Sequence, residues 1–200
     1  MTARWASLLR VILIVPFLGL SPAFAEAPTD QVRATVDRVL AILENSQLKP
    51  AERRAQLEEA IYARFDFAEM AKRSLGPEWR RRTPQEQSEF VTLFTDLFER
   101  FYLSRIENYS EEKVSYLRET QEHNFATVDT KIVNKQGEEV SVVYRLHKVG
   151  EEWKVYDVVI ENVSVVNNYR SQFTRVLSGS SFEELLRRLR ERVAQGGATQ

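Results

Sequence analysis

Apolar positions along the chain follow two rhythms. Helical spacing holds through about residue 110, strict alternation takes over from about 114 to 163, and helical spacing then returns. Val32, Val36, Val39, Leu40 and Leu43 predict a first helix, with Thr29-Asp30 as its cap. Pro50 suits the first turn of a second helix carrying Leu57, Ile61 and Phe65. Asp66 is placed to cap a third, with Phe67, Met70 and Ala71 on one side, and Gly76-Pro77 ends it. Thr83-Pro84-Gln85-Glu86 then reads as a capping box with proline at the first helical position.

The helix that starts there is apolar on more than one side. Phe90, Phe94, Leu97 and Phe101 form one row, and Val91, Phe98, Tyr102, Ile106 and Tyr109 form a broad neighbouring one. A surface helix needs only one such stripe. Either this is a central core helix, or it packs the core with one row and lines a ligand cavity with the other.

Strands follow. Val114–Leu117 is a short candidate. Ala126, Val128, Thr130 and Ile132 alternate with more polar residues, as do Val140, Val142, Tyr144 and Leu146. Trp153 to Val163 forms the last strand. The turns Asn134-Lys135-Gln136-Gly137 and Lys148-Val149-Gly150-Glu151 are short, which implies antiparallel neighbours. Ser164 caps a helix through Leu177, Ser181-x-x-Glu184 caps a final one, and Gly196 to Gln200 forms a frayed tail. The predicted fold is α+β: helices flanking a strongly twisted antiparallel β-meander, whose apolar face carries the alternating residues toward the helices. A slip of one residue would invert that face.

The N-terminus has its own pattern. Arg4 and Arg10 precede the apolar run Val11–Leu20, and Ala23-Phe24-Ala25 supplies small residues for cleavage. This predicts a signal peptide over 1–25 and one mature domain over 26–200, exported and without a lipidated cysteine. The leader holds two basic and no acidic residues, so its removal takes the net charge from −1 to −3. Such a balance disfavours nucleic acid. The chain has no cysteine, so no disulfide supports it, and its two histidines leave zinc without its usual donors. His123, beside a turn, and His147, near a strand end, read as surface residues. No metal, cofactor or catalytic cluster is expected.

Several ordered motifs resemble one family. Phe65-Asp66-Phe67-Ala68-Glu69-Met70-Ala71 is followed by Leu75-Gly76-x-x-Trp79 and Thr83-Pro84-x-x-Gln87-x-x-Phe90. In the second half come Val142-x-Tyr144, Glu152-Trp153-Lys154-Val155-Tyr156-Asp157-Val158, Glu161-Asn162-Val163-Ser164 and Asn168-Tyr169-Arg170-Ser171-Gln172-Phe173. From about Asp30 to Arg192 the chain resembles the MlaC family, the toluene-tolerance auxiliary proteins. Asn162 stands where the family commonly has glycine, and asparagine best tolerates the positive φ that turn requires.

The resemblance implies a periplasmic phospholipid carrier, acting as a monomer between an outer-membrane lipoprotein–porin complex and an inner-membrane ABC transporter with an MCE-domain subunit. It implies acyl chains held in an apolar cavity between sheet and helices. A hopanoid-linked relative would share this layout. Periodicity assigns to the cavity Phe98, Tyr102, Ile106, Val128, Ile132, Val142, Tyr144, Val155, Val159, Val166 and Tyr169. Two acyl chains call for a volume near the upper end of the roughly 300–1,000 Å³ of ligand sites.

Two other functions compete. An NTF2-like enzyme acting on a hydrophobic substrate would use Asp157 as a carboxyl of raised pKa, whereas a structural Asp157 would bond backbone or an arginine. An interaction module would dock a partner on Trp79 and the exposed run Arg80, Arg81 and Arg82. Tyr169 and Phe173 share a helix face. Arg170 points elsewhere, to a salt bridge with the sheet, to a headgroup or to a partner.

Overall fold

A computed structural model describes residues 26–103, 106–107 and 113–195. The predicted leader, Tyr109 and the tail lie outside the described residues. Helices α1 (Pro28–Glu44), α2 (Pro50–Arg64), α3 (Phe67–Leu75) and α4 (Pro84–Phe98) come first. A 3₁₀ segment, Gly76–Arg81, joins α3 to α4, and a π-helical segment, Glu99–Leu103, extends α4. Then come β1 (Lys113–Glu122), β2 (Phe125–Val133), β3 (Glu139–Val149), β4 (Glu152–Ile160), the short β5 (Val163–Ser164), α5 (Val165–Leu177) and α6 (Phe182–Ala194). The five strands form one antiparallel sheet in chain order, the predicted α+β meander.

Most helix ends follow their predicted caps. Asp66 accepts from the Glu69 N–H at 2.9 Å, and Gly76, at φ 61°, ends α3 in a conformation that disfavours a side chain. Thr83 and Glu86 complete a reciprocal capping box. Ser164 and Ser181 cap α5 and α6 through the Asn167 and Glu184 N–H groups. Asn162 takes the expected positive φ, 65°. The start of α1 differs: Ala27 is the cap, Pro28 opens the helix, and Thr29-Asp30 fall inside its first turn. Proline presets the helical φ there, and Asp30 still sits favourably near the positive end of the helix dipole.

The aromatic helix satisfies both of its readings because it changes pitch. Phe90 and Phe94 enter a helical core: ring centroids lie 5.5 Å apart for Phe90–Phe173, 6.1 Å for Phe90–Phe182 and 5.4 Å for Phe94–Tyr169. After Phe98 the π-helical turn inserts extra backbone per turn. Phe98 and Tyr102 stay in contact at 4.7 Å, on the side toward the sheet.

β1 is longer than Val114–Leu117. It pairs with β2 from Lys113 to Glu122, but its second half is exposed and polar on both faces, so alternation does not mark it. The β3–β4 pair holds the main irregularity. Arg145 pairs with Asp157 while Leu146 pairs with Val155, leaving Tyr156 as an extra residue on β4. Such a bulge reverses which residues face which side beyond it.

Candidate functional site

An apolar trough lies between α1, the α2 C-terminus, the π-helical segment and the inner face of the sheet. From α1 it takes Val32, Thr35, Val36, Val39, Leu40 and Leu43, and from α2 and its end Ile61, Arg64 and Phe65. Phe98, Tyr102 and Ile106 form another wall, and the sheet adds Val114, Ile132, Val140, Val142, Tyr144, Val155, Val158 and Ile160. Val165 closes the side where α5 begins. The trough has a volume of about 250 Å³, and about 1330 Å³ when the space continuous with solvent is included. The first value falls below the volume expected for two acyl chains, and the trough is partly open to solvent rather than sealed.

Its polarity is controlled. Among the described residues, Arg64 is the one charged residue along the walls, and its guanidinium is tied down within the protein. Nε donates to Thr35 Oγ1 at 3.1 Å, and Nη1 donates to Gln31 Oε1 at 2.6 Å and to the Trp153 carbonyl at 2.5 Å. Burial lowers its pKa below the usual arginine value, opposed by Glu152 and Glu26. Thr130, buried on the same sheet face, donates to the Val142 carbonyl at 2.8 Å. An unpaired buried polar group would cost about 1–3 kcal/mol; these are paired.

Of the residues assigned to the cavity by periodicity, Phe98, Tyr102, Ile106, Ile132, Val142, Tyr144 and Val155 line the trough. Four do not. Val128 is on the expected face but fully buried in the core. Val159 pairs with Val143 on the opposite face, because the Tyr156 bulge makes Val158 and Ile160 the inward pair. Val166 lines a second cleft. Tyr169 stacks on Phe173 at 5.6 Å within the helical core.

The α1 stripe is the largest part missing from that assignment. Its helical periodicity was plain, yet nothing in it tells a core helix from the roof of a trough. Arg64 has no local signal at all.

Asp157 is buried away from the trough. It accepts from Arg145 at 3.0 Å, Ser164 Oγ at 2.7 Å and the Val166 N–H at 3.0 Å, the structural arrangement of the two considered. The basic run is less free than expected. Arg81 pairs with Glu78 at 2.7 Å. Arg82 is largely covered, pairs with Glu78 at 3.4 Å and Glu86 at 3.8 Å, and lies 4.7 Å over the Phe182 ring. Trp79 is half-buried, while Arg80 is exposed. Among the described residues Arg170 makes no salt bridge to the sheet; it donates to Asn167 Oδ1 at 2.7 Å. His147 is only partly exposed: its Nε2 lies 2.9 Å from Asp66 Oδ2, which ties β3 to the cap of α3. Among the described residues, no His, Cys, Asp and Glu group could hold a metal, and no helix is long and apolar enough to cross a membrane.

The family model described as "MlaC protein" matches residues 33–191. The chain is 22% identical to the intermembrane phospholipid transport system binding protein MlaC of Haemophilus influenzae, over 96% of this chain and 94% of that one. It is 24% identical to the toluene tolerance protein ttg2D of Pseudomonas putida, covering 82% of this chain and 78% of the relative. A phospholipid-binding protein of Ralstonia solanacearum, solved in complex with a phospholipid, superposes with a TM-score of 0.75 at 29% identity, over 84% of this chain and 97% of that one.

Proposed function

We propose that this chain, which belongs to the MlaC family, is a periplasmic phospholipid carrier. The supporting observation is the apolar trough in which the one charged residue among the described wall residues, Arg64, is already bonded within the protein. Burying a methylene is worth about 0.8 kcal/mol, so exposing roughly thirty of them costs on the order of 20 kcal/mol. A lipid therefore needs an apolar lining throughout its passage. In this reading the acyl chains lie along the sheet face against α1, with the trough's open side admitting them. The carrier travels as a monomer between an outer-membrane lipoprotein–porin complex and an inner-membrane MCE-domain ABC transporter, and so sustains outer-membrane lipid asymmetry.

The enzyme alternative has less support, since Asp157 is engaged by three donors and lies outside the trough. Lipid extraction from the purified protein, followed by mass spectrometry, tests the proposal. Stoichiometric phospholipid is the expected result. A polycyclic lipid instead would point to a hopanoid-linked carrier, and no lipid under loading conditions would remove the carrier reading.

A further inference from the structure

A second cleft, of about 390 Å³, lies between α3, the 3₁₀ segment, α5 and β3–β4, on the side of the sheet away from the trough. We propose that it is the docking site for a carboxylate-rich segment of a partner protein. The proposal rests on the carrier reading, because a carrier must meet a protein that takes or gives its lipid.

The charge is concentrated where the chain as a whole has little. Lys72, Arg73, Arg80, Arg145 and Arg170 reach the cleft from four different elements, although the whole chain has a net charge of −1. Two carboxylates offset them. Glu69 holds Lys72 and Arg73, each at 2.8 Å. Asp157 bonds Arg145 at the floor, which shows a carboxylate already seated on one of these cations. Among the described residues, Arg80 and Arg170 have no carboxylate within ion-pair distance. The Arg170 stem rests on Gly76, where a Cβ would come within 3.4 Å of its Cδ, and this positions the guanidinium over the end of α3.

The shape selects the occupant. Arginine forks suit carboxylates held in two-point contact. A flat bilayer meets raised surfaces and cannot follow a concave wall. The spread of cations over four elements, with room of about 390 Å³ between them, exceeds what one phosphate needs. A protruding acidic segment fits both the room and the charge. Exposed charges of this kind raise association rates more than affinity, which suits a brief encounter.

The cleft also shares its walls with the trough. On β4, Val155 and Val158 face the trough while Asp157 faces the cleft, and at the start of α5 Val165 lines one and Val166 the other. A docked segment would sit one strand's thickness from the lipid.

The test uses a fluorescent glutamate octapeptide, inorganic phosphate, and vesicles of phosphatidylcholine with or without phosphatidylglycerol. The lipid-loaded protein should bind the peptide with an affinity that falls as salt rises. Arg80→Glu with Arg170→Glu should weaken it at least about tenfold. Arg80→Gln with Arg170→Gln should weaken it less. Lys113→Glu with Arg118→Glu, on the far edge strand, should leave it near the wild-type value. Circular dichroism melts establish that each variant folds. Peptide affinity unchanged in both cleft variants overturns the proposal. So does binding of phosphatidylglycerol vesicles through these arginines with none of the peptide, or equal competition by phosphate at millimolar concentration. Extracted lipid is measured on the same samples, so an empty wild-type protein would count against the carrier reading without touching the peptide result.

Discussion

The Val166 N–H donates to Asp157 Oδ1 at 3.0 Å, joining the bulged part of β4 to the first turn of α5. Asp157 also accepts from Arg145 and from Ser164 Oγ, the cap of the same helix. One buried carboxylate thus holds two strands and a helix start. Asp157→Ala leaves the Val166 donor unsatisfied, and is expected to cost about 1–3 kcal/mol, the lower part of the range reflecting a half-exposed Arg145. Asp157→Asn, which keeps one acceptor, should cost less. Urea unfolding gives both values. An Asp157→Ala midpoint equal to the wild type would mean that the bulge and the helix hold without the carboxylate.

The bulge makes an opposed pair of neighbours. Val158 faces the trough and Val159 the other side of the sheet. Val158→Glu places a carboxylate in an apolar wall, where it is desolvated and opposes acyl chains. Co-purifying lipid is expected to fall several-fold. Val159→Glu, at a half-exposed position, should keep its lipid. Val142→Glu should behave like Val158→Glu, since Val142 also lines the trough. Equal lipid in Val158→Glu and Val159→Glu would show that this sheet face does not hold the ligand.

These two valines also show what the sequence could tell. On β2 and β3 the period of two placed Ile132, Val142 and Tyr144 correctly, because those strands pair without interruption. On β4 it failed from Tyr156 onward. A bulge has no composition signal here: Val155, Tyr156, Val158, Val159 and Ile160 all suit a strand, so either face reads as apolar. Val128 and Tyr169 were recognisably apolar, but periodicity gives a face and not a depth, and both lie in packed core beyond the trough. The helix caps were readable because Asp66, Thr83, Ser164 and Ser181 act within three residues. The Arg64, Gln31 and Trp153 cluster was not, because its bonds join residues from three distant elements.

The roof of the trough should tolerate polarity better than its function does. Val36 and Val39 are only half-buried, so neither supplies the full burial energy of a core valine. Val36→Ser with Val39→Ser is expected to cost less than the roughly 1.5–3 kcal/mol per side chain of complete burial. The same change puts hydroxyls along the face α1 turns to the acyl chains. Lipid content should fall while the melting temperature changes by a few degrees at most. A large loss of stability with lipid retained would make α1 a core helix rather than a roof.

Glu99 makes the stability of the π-helical segment depend on pH. Its carboxylate accepts from the Tyr62 hydroxyl, and burial raises its pKa above the ordinary carboxylate value. Glu58 and Asp96 push the same way, while the Tyr62 bond and Arg54 oppose them. A carboxyl whose folded pKa is raised binds its proton more tightly folded than unfolded, so its ionisation opposes folding. That penalty is fully present above the folded pKa. It fades as pH falls through that value and is gone below the unfolded one. Glu99→Gln removes the titration and keeps an amide oxygen for Tyr62. At neutral pH its urea midpoint should exceed the wild type's, and the gap should close below the ordinary carboxylate range. If Glu99→Gln is the less stable protein at neutral pH, the charged Tyr62 hydrogen bond outweighs the burial and the sign of this contribution is reversed.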